Sequence, residues 1–370
     1  MSEFAIDQES QSIPDQIVMH VDMDCFFAAC ERLRDKSLEN SPVVVVMGYS
    51  KDSANGVVST ASYEAREYDV ESGQPMVEAI RHLPQNKATY LPVDAEYYES
   101  ISDEIMYILE EMSNVVRKVS VDEAYLDVTD RTNWEHAEGY AGGIKKRIQQ
   151  EVGVTASIGV APTMSAAKVA SDWNKPDGIT VVPPESLVNF LDPLDVEDVH
   201  EVGPKTAKQL QKMGMTTAGD IAEADVSKLR KKLGSRGKKI YRYARGEDDR
   251  EVEPTEPRDS FMRDESFSEP ISDWGEKRGV IKQLGQEAAE RAIDEGGLFQ
   301  TIGIKVIMPP FDKYRREQSL SGPTDDPDVV QDVAMNLLRE FSNNSVRKLG
   351  VSVSNINYSG QRQTGLDDWR

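Results

Sequence analysis

The chain has 370 residues, 38% of them hydrophobic, and a formal net charge of -22. Its length accommodates two to four domains. No apolar run approaches the roughly 18 residues of a membrane span, so no membrane-spanning helix is expected, and the acid excess argues against a simple cationic nucleic-acid binder, whose affinity comes from cation–phosphate contacts.

The polar, acidic residues 1–16 lack the basic head and apolar core of a signal peptide and read as a loose tail. Residues 17–27 read as a strand leading into a helix that runs to about residue 36. The only cysteines, Cys25 and Cys30, lie in this segment, and no Cys/His set accompanies them. They read as buried free thiols of a cytoplasmic protein. Residues 42–47 and 56–61 are apolar β-branched runs of buried-strand type, followed by a helix start at 63–68 and a turn at 73–76. Residues 94–112 form an amphipathic helix with Ile101, Ile105, Ile108 and Met112 at helical spacing. A strand, an acidic turn and a second strand fill 115–128, a helix fills 137–152 and a strand 155–160. A short helix at 164–172 and a strand at 179–182 precede a boundary at Pro183-Pro184. This order predicts a mixed sheet covered by helices on one face.

Residues 187–245 read as all-helical. Charge is unevenly spread: residues 1–100 carry 18 Asp+Glu and 7 Lys+Arg, whereas residues 203–246 carry 12 Lys+Arg and 3 Asp+Glu. An acidic body with one basic segment fits a DNA binder whose outer surface is acidic for another reason, and a high-salt cytoplasm of the halophilic archaeal kind supplies one. Residues 246–258 are charged, contain two prolines and read as a linker. A second α/β unit follows in the order strand-helix-strand-strand-helix-strand, with strands placed near 261–267, 301–308 and 346–356 and helices at 279–294 and 327–341.

Two acidic pairs stand out. Asp122 and Glu123 lie between strand-like runs, and Asp22 and Asp24 end an apolar run about a hundred residues upstream. Side chains in a strand alternate faces, so adjacent acids mark a strand end or turn. One such pair is usually a solvated turn. Hard oxygen donors from two strand ends suit magnesium and two-metal phosphoryl or nucleotidyl transfer.

Ser-Val-Asp-Glu-Ala-Tyr-Leu-Asp at 120–127 and Val-Asp-Met-Asp-Cys-Phe-Phe-Ala at 21–28 resemble signature segments of the Y-family DNA polymerases, most closely the polymerase IV type that copies past damaged bases. Thr-Ala-Ser-Tyr-Glu-Ala-Arg at 60–66, Ala-Lys-Val-Ala-Ser at 167–171 and Asn-Lys-Pro-Asp-Gly at 174–178 agree in order and spacing. The resemblance is specific over 17–215 and rests on pattern from there to 358. It implies an α+β right hand: palm at 17–27 and 94–182, small fingers at 28–93, helical thumb at 183–245, linker at 246–258, a separate α/β little finger at 259–358 and a tail at 359–370. The implied activity is template-directed, low-fidelity DNA synthesis across damage by two-metal nucleotidyl transfer.

On the same resemblance, Asp22 and Asp122 bridge two Mg2+ ions, Glu123 serves the primer-side ion and Met23 contributes its backbone carbonyl. Asp24 matches no ligand and is structural. Tyr63, Arg66, Lys175 and Thr60 hold the triphosphate; Tyr63 and Arg66 are one helical turn apart, and the fork of Arg suits phosphate. Phe27 stands at the steric gate against a 2′-hydroxyl. Small residues, Ser53, Ala54, Gly56, Ser59, Ala61 and Ser62, imply an open nucleotide site. Residues 199–207 resemble a helix-hairpin-helix with Gly203 kept and Glu201 where the family usually has Gly. Gly203, Lys205, Arg236 and Lys238 there, with Arg315, Arg316 and Arg347 later, are the candidate DNA contacts. Gln363, Leu366 and Trp369 resemble a sliding-clamp peptide. The implied partners are primer-template DNA, deoxynucleoside triphosphates and a clamp, with no membrane and a monomeric state. The acids alone also allow a nucleotidyl cyclase, and the basic segments alone a non-catalytic DNA-binding scaffold. The basic thumb, linker and second α/β unit disfavour the first; the presence of all three carboxylates disfavours the second.

Overall fold

The computed structural model describes residues 16–49 and 55–358. The chain divides into two compact units, Met1–Thr255 and Glu256–Arg370. Among the described residues no helix is long and apolar enough to cross a membrane.

The first unit begins with β1 (Val18–Met23), α1 (Phe26–Arg34), β2 (Val43–Met47), β3 (Val57–Ala61), α2 (Tyr63–Arg66), α3 (Met76–His82) and β4 (Thr89–Pro92). It continues through α4 (Ala95–Glu111), β5 (Val115–Lys118), β6 (Glu123–Asp127), α5 (Ala137–Glu151), β7 (Ala156–Ala161), α6 (Met164–Trp173) and β8 (Ile179–Val181). A run of helices closes it: α7 (Leu187–Leu191), α8 (Pro204–Gln211), α9 (Ala218–Ala222), α10 (Val226–Leu233) and α11 (Ser235–Ala244).

The main sheet has the order β5-β6-β1-β7-β8. Its strands pair antiparallel except β7 with β8. Alternation along β1 sends Met19, Val21 and Met23 into a core shared with Ile105 and Leu109 of α4 and Ile144 and Ile148 of α5. Each such side chain contributes about 1.5–3 kcal/mol on burial. His20 and Asp22 point the other way, toward α6. Helices therefore cover both faces, not one as the element order suggested. The reason is Gly159 on β7. A Cβ there would lie 2.1 Å from the Ala167 carbonyl oxygen and 2.2 Å from the Ser171 nitrogen. Without a side chain, the strand lets the backbone of α6 press directly onto the sheet.

A second sheet, β3-β2-β4, carries α2 and α3 over its own small core of Val44, Val46, Val58, Met76, Leu83 and Tyr90. The sequence reading had only a turn in the stretch that becomes α3 and β4. Prolines 75, 84 and 92 interrupt its periodicity. In the closing helices, Leu229, Ile240 and Tyr243 turn inward and the Lys and Arg residues of α10 and α11 are mostly exposed.

The segment after α11 has no regular elements, yet its first half is not free. Asp248 is buried, accepts the Ser165 amide of α6 at 3.0 Å and is held by Arg250 at 2.8 and 2.7 Å. Val252 is also buried. Composition marks such a segment as polar and exposed; a buried, doubly hydrogen-bonded ion pair overrides that tendency.

The second unit comprises β9 (Ser260–Ile271), α12 (Trp274–Asp294), β10 (Gly297–Met308), β11 (Asp312–Thr324), α13 (Pro327–Leu338) and β12 (Val346–Tyr358). Its sheet runs β11-β10-β12-β9, antiparallel throughout. Ile302, Ile304 and Val306 face a core with α12 and α13. The alternate residues, Thr301, Gly303 and Lys305, lie on the opposite face.

Candidate active site

β6 begins at Glu123, so Asp122 stands in the turn before it, as the alternation argument required. The Asp122 carbonyl accepts the Met23 amide at 2.9 Å, and its carboxylate accepts the Ser120 hydroxyl. This clamps the ends of β1 and β6 together. Asp22 and Glu123 are direct cross-strand partners. Like charges in that relation repel, and the structure sets cations against them. The Lys168 ammonium, from α6, lies 2.8 Å from Asp22 Oδ2 and 2.8 Å from Glu123 Oε1. It also stands 3.1 Å from Asp172 Oδ2. Lys175 sits 2.7 Å from the same Asp22 oxygen and 2.8 Å from Asp172 Oδ1.

The electrostatics follow from this packing. Burial works to raise the pKa of Asp22, but Lys168, the Glu123 hydrogen bond and Lys175 outweigh it and hold the carboxyl well below the usual range. Burial and the adjacent Asp22 push Glu123 up to about 7, against Lys168. Burial also raises Asp122, with the Ser120 hydrogen bond opposing. For Lys168, burial disfavours the charge, yet Asp22, Asp172 and Glu123 more than restore it and raise its pKa.

Three carboxylates at two strand ends, two of them sharing one ammonium, are the hard oxygen donors that a divalent ion of the magnesium kind requires. Among the described residues, no three Asp, Glu, His or Cys side chains stand so as to hold an ion as they are. An ion at this set would have to draw Asp22 and Glu123 away from Lys168.

Asp24 is buried and turned away from Lys168. It accepts the Tyr63 hydroxyl at 3.2 Å, the Ser157 hydroxyl at 2.9 Å and the Asp177 amide at 2.8 Å. It thereby ties α2 and the 174–178 turn to the end of β1. In that turn Gly178 packs so tightly that a Cβ would lie 1.8 Å from the Asn174 oxygen. Tyr63 and Arg66 do share one face of α2: the guanidinium lies 4.6 Å from the Tyr63 ring centroid, and its Nε donates to the Ala61 carbonyl. Thr60 lies beside them on β3, paired with Val45. Ser53 and Ala54 of the small-residue group lie outside the described residues.

Phe26 is buried in the core and Phe27 is half-buried. The Phe27 ring stacks on Tyr98 of α4, centroids 4.4 Å apart and planes 20° from parallel. Tyr98 was missed in the sequence because it reads as one more inward position of an amphipathic helix. Lys168 was missed as a site residue too. Its segment was recognised, but an acid-contacting lysine has no local signature.

A cleft of about 600 Å³ opens from Lys168, Asp172 and Trp173 to the hairpin residues Glu201 and Gly203. Glu201 has φ +64°, a left-handed conformation suited to glycine. Its carboxylate takes the Lys239 ammonium at 2.5 Å. Gly203 caps α8 with open space at its Cβ position, and Lys205, Arg236 and Lys238 are exposed. In the second unit the candidates separate. Arg315 is the cross-strand partner of Lys305 and shares its face. Arg316 partners Ile304, faces the helical side and is held by both Glu340 oxygens at 2.6 and 2.7 Å. Arg347 lies over the Phe311 ring at 4.8 Å. Lys305 and Lys348, on the face of Arg315, both pair with Asp264. Gln363, Leu366 and Trp369 lie outside the described residues.

Residues 21–172 match the model of the impB/mucB/samB family, 258–366 the C-terminal domain of that family, and 198–248 the thumb domain of DNA polymerase-iota. A DNA polymerase IV from Halobacterium salinarum is 48% identical over 95% of this chain and 88% of its own length. One from Methanoculleus marisnigri is 39% identical over 96% of this chain and 98% of its own. Among solved structures, a Y-family DNA polymerase chimera superposes with a TM-score of 0.82 at 29% identity, covering 93% of this chain and all of its own. An insertion ternary complex of Dbh DNA polymerase gives 0.69 at 28%, with the same coverage.

Proposed function

Because the chain belongs to the Y-family DNA polymerases, in the DNA polymerase IV group, we propose that Asp22, Asp122 and Glu123 form its catalytic metal site and that α2 and the 174–178 turn hold the incoming nucleotide. The protein is a DNA-directed DNA polymerase of the translesion group, and DNA and nucleotides are its partners. The observation that carries the site assignment is the cross-strand facing of Asp22 and Glu123, with Asp122 clamped beside them and two ammonium groups on Asp22.

Asp22, Asp122, Glu123 and the Met23 carbonyl would hold two magnesium ions, which would supply Lewis acidity at the primer hydroxyl and charge neutralisation at the triphosphate. The residues do the positioning. Tyr63, Arg66, Thr60 and Lys175 grip the triphosphate from one side, and Lys175 is already aimed at the acids. Asp24 fixes the Tyr63 hydroxyl and the turn carrying Lys175, so nucleotide grip and metal site are built on one strand end. Phe27, backed by Tyr98, closes the sugar side. Gly203, Lys205, Arg236 and Lys238 contact phosphates from the helical hairpin region; Arg315 and Arg347 do so from the second unit, whereas Arg316, held by Glu340 on the helical side, does not. The tail residues Gln363, Leu366 and Trp369 engage a sliding clamp. The acidic composition supports a halophilic source and a monomer kept soluble by charge, and the free thiols Cys25 and Cys30 support a cytoplasmic location.

Primer extension with magnesium and four deoxynucleotides, across a salt series, tests the assignment beside Asp122→Ala. Wild-type extension with loss of about 10³-fold or more in the variant is expected, because position and charge supply most of the catalysis. Comparable extension by both proteins would dismiss the carboxylate site.

A further inference from the structure

We propose that Lys168 is the resident counter-cation of the metal site: its ammonium neutralises Asp22 and Glu123 before a divalent ion arrives, and is handed to Asp172 when the ion binds. The inference rests on the metal-site reading above and assigns a role that the reading leaves open.

Asp22 and Glu123 are opposite each other across an antiparallel pair. Their side chains are only 8% and 25% exposed. Two like charges so placed need a neutralising partner, or one must give up its ionised form. Lys168 answers that need symmetrically, at 2.8 Å from each. It is itself 21% exposed and stands on α6, which Gly159 holds against the sheet. The ammonium and a divalent ion therefore compete for the same two oxygens.

The structure also contains the acceptor for a displaced ammonium. Asp172 lies one helical turn further along α6, 3.1 Å from Lys168, on the rim of the cleft. Its side chain is 49% exposed, so holding a cation there costs little desolvation. Small rotations of the flexible lysine stem suffice for the exchange. Lys175 shares both Asp22 and Asp172 but not Glu123. It is suited to leave with the nucleotide's phosphates, whereas Lys168 is suited to pass between the metal-site acids and Asp172. The consequence is a weak, exchangeable metal site whose carboxylates stay ordered when no ion is bound.

Manganese(II) binding to the full chain, followed by electron paramagnetic resonance without DNA or nucleotide, tests this separately from activity. Lys168→Met is expected to bind manganese about tenfold more tightly or better, tenfold being about the scale of one charge contact screened as in bulk water, and to melt at lower temperature without metal. Asp172→Asn is expected to weaken binding in the wild-type background and to have a smaller effect in the Lys168→Met background, where only its contact with Lys175 remains. Lys168→Gln keeps the stem and a donor and replaces the methionine variant if that one fails to fold. Unchanged or weaker manganese affinity without the Lys168 charge, or an Asp172→Asn effect that is the same in both backgrounds, would overturn the proposal. Asp122→Asn separates the two readings: if it abolishes binding while Lys168→Met changes nothing, only the counter-cation role fails. If it leaves binding intact, the metal-site reading fails with it.

Discussion

Phe26 and Phe27 are chemically identical neighbours with different tasks, and the turn into α1 separates them. Cys25, at φ +41°, turns the chain after β1. Phe26 then enters the core, and Phe27 emerges against Tyr98. A ring held face to face on a second ring resists displacement, because moving it would break a stacked contact worth about 0.5–1.5 kcal/mol. That rigidity is what sugar selection by clash requires. Phe27→Ala is expected to retain deoxynucleotide incorporation and to lose roughly tenfold or more in discrimination against ribonucleotides, about 1.4 kcal/mol of differential barrier. Single-nucleotide insertion kinetics with both sugars measure it, and unchanged selectivity would remove Phe27 from the gate. The residue itself was legible from its place in the motif. Its backing by Tyr98, 71 positions later in the chain, was not.

At the scale of elements, strands and amphipathic helices of the sheet were readable because burial imposes periods of two and 3.6 on their side chains. Prolines hid α3 and β4, and β11 offers alternation with charges on both faces. The hairpin before α8 shows a different conflict. Glu201 adopts φ +64°, where an L-residue costs about 1–2 kcal/mol. Its ion pair with Lys239 is exposed enough to return no more than about 1 kcal/mol. Glu201→Gly relieves the strain but loses that pair and loosens the unfolded chain, so stability is expected to stay within about 1 kcal/mol of wild type. DNA binding is the sensitive readout. Losing one carboxylate and freeing Lys239 should tighten binding at low salt and steepen the log affinity against log salt slope by about 0.9. An unaltered slope would show that this hairpin does not meet phosphate.

At the scale of the whole molecule, a net charge of -22 opposes both compaction and DNA binding in dilute buffer. Cations on the proposed DNA faces, exposed Lys239 and the half-buried Lys305 and Lys348, are already paired with carboxylates. Raising salt to about 1 M shortens the screening length to about 3 Å and weakens the repulsion more than the buried cores. The thermal midpoint is expected to rise by several degrees between about 0.1 M and molar KCl, at roughly 2–4 °C per kcal/mol for domains of this size. A midpoint that falls over that range would refute a halophilic design. The sequence by itself determined the family and the basic segments, and it singled out the three carboxylates and the aromatic proposed as the gate, because those depend on residue identity at short, regular spacings. Only the tertiary structure decided which cation rests on the acids, that helices cover both faces of the sheet, and that Arg315 and Arg316 part company. Lys168 and Asp22 lie 146 positions apart. No local pattern encodes a contact that exists because a glycine on β7 lets a distant helix settle onto the strand beside it.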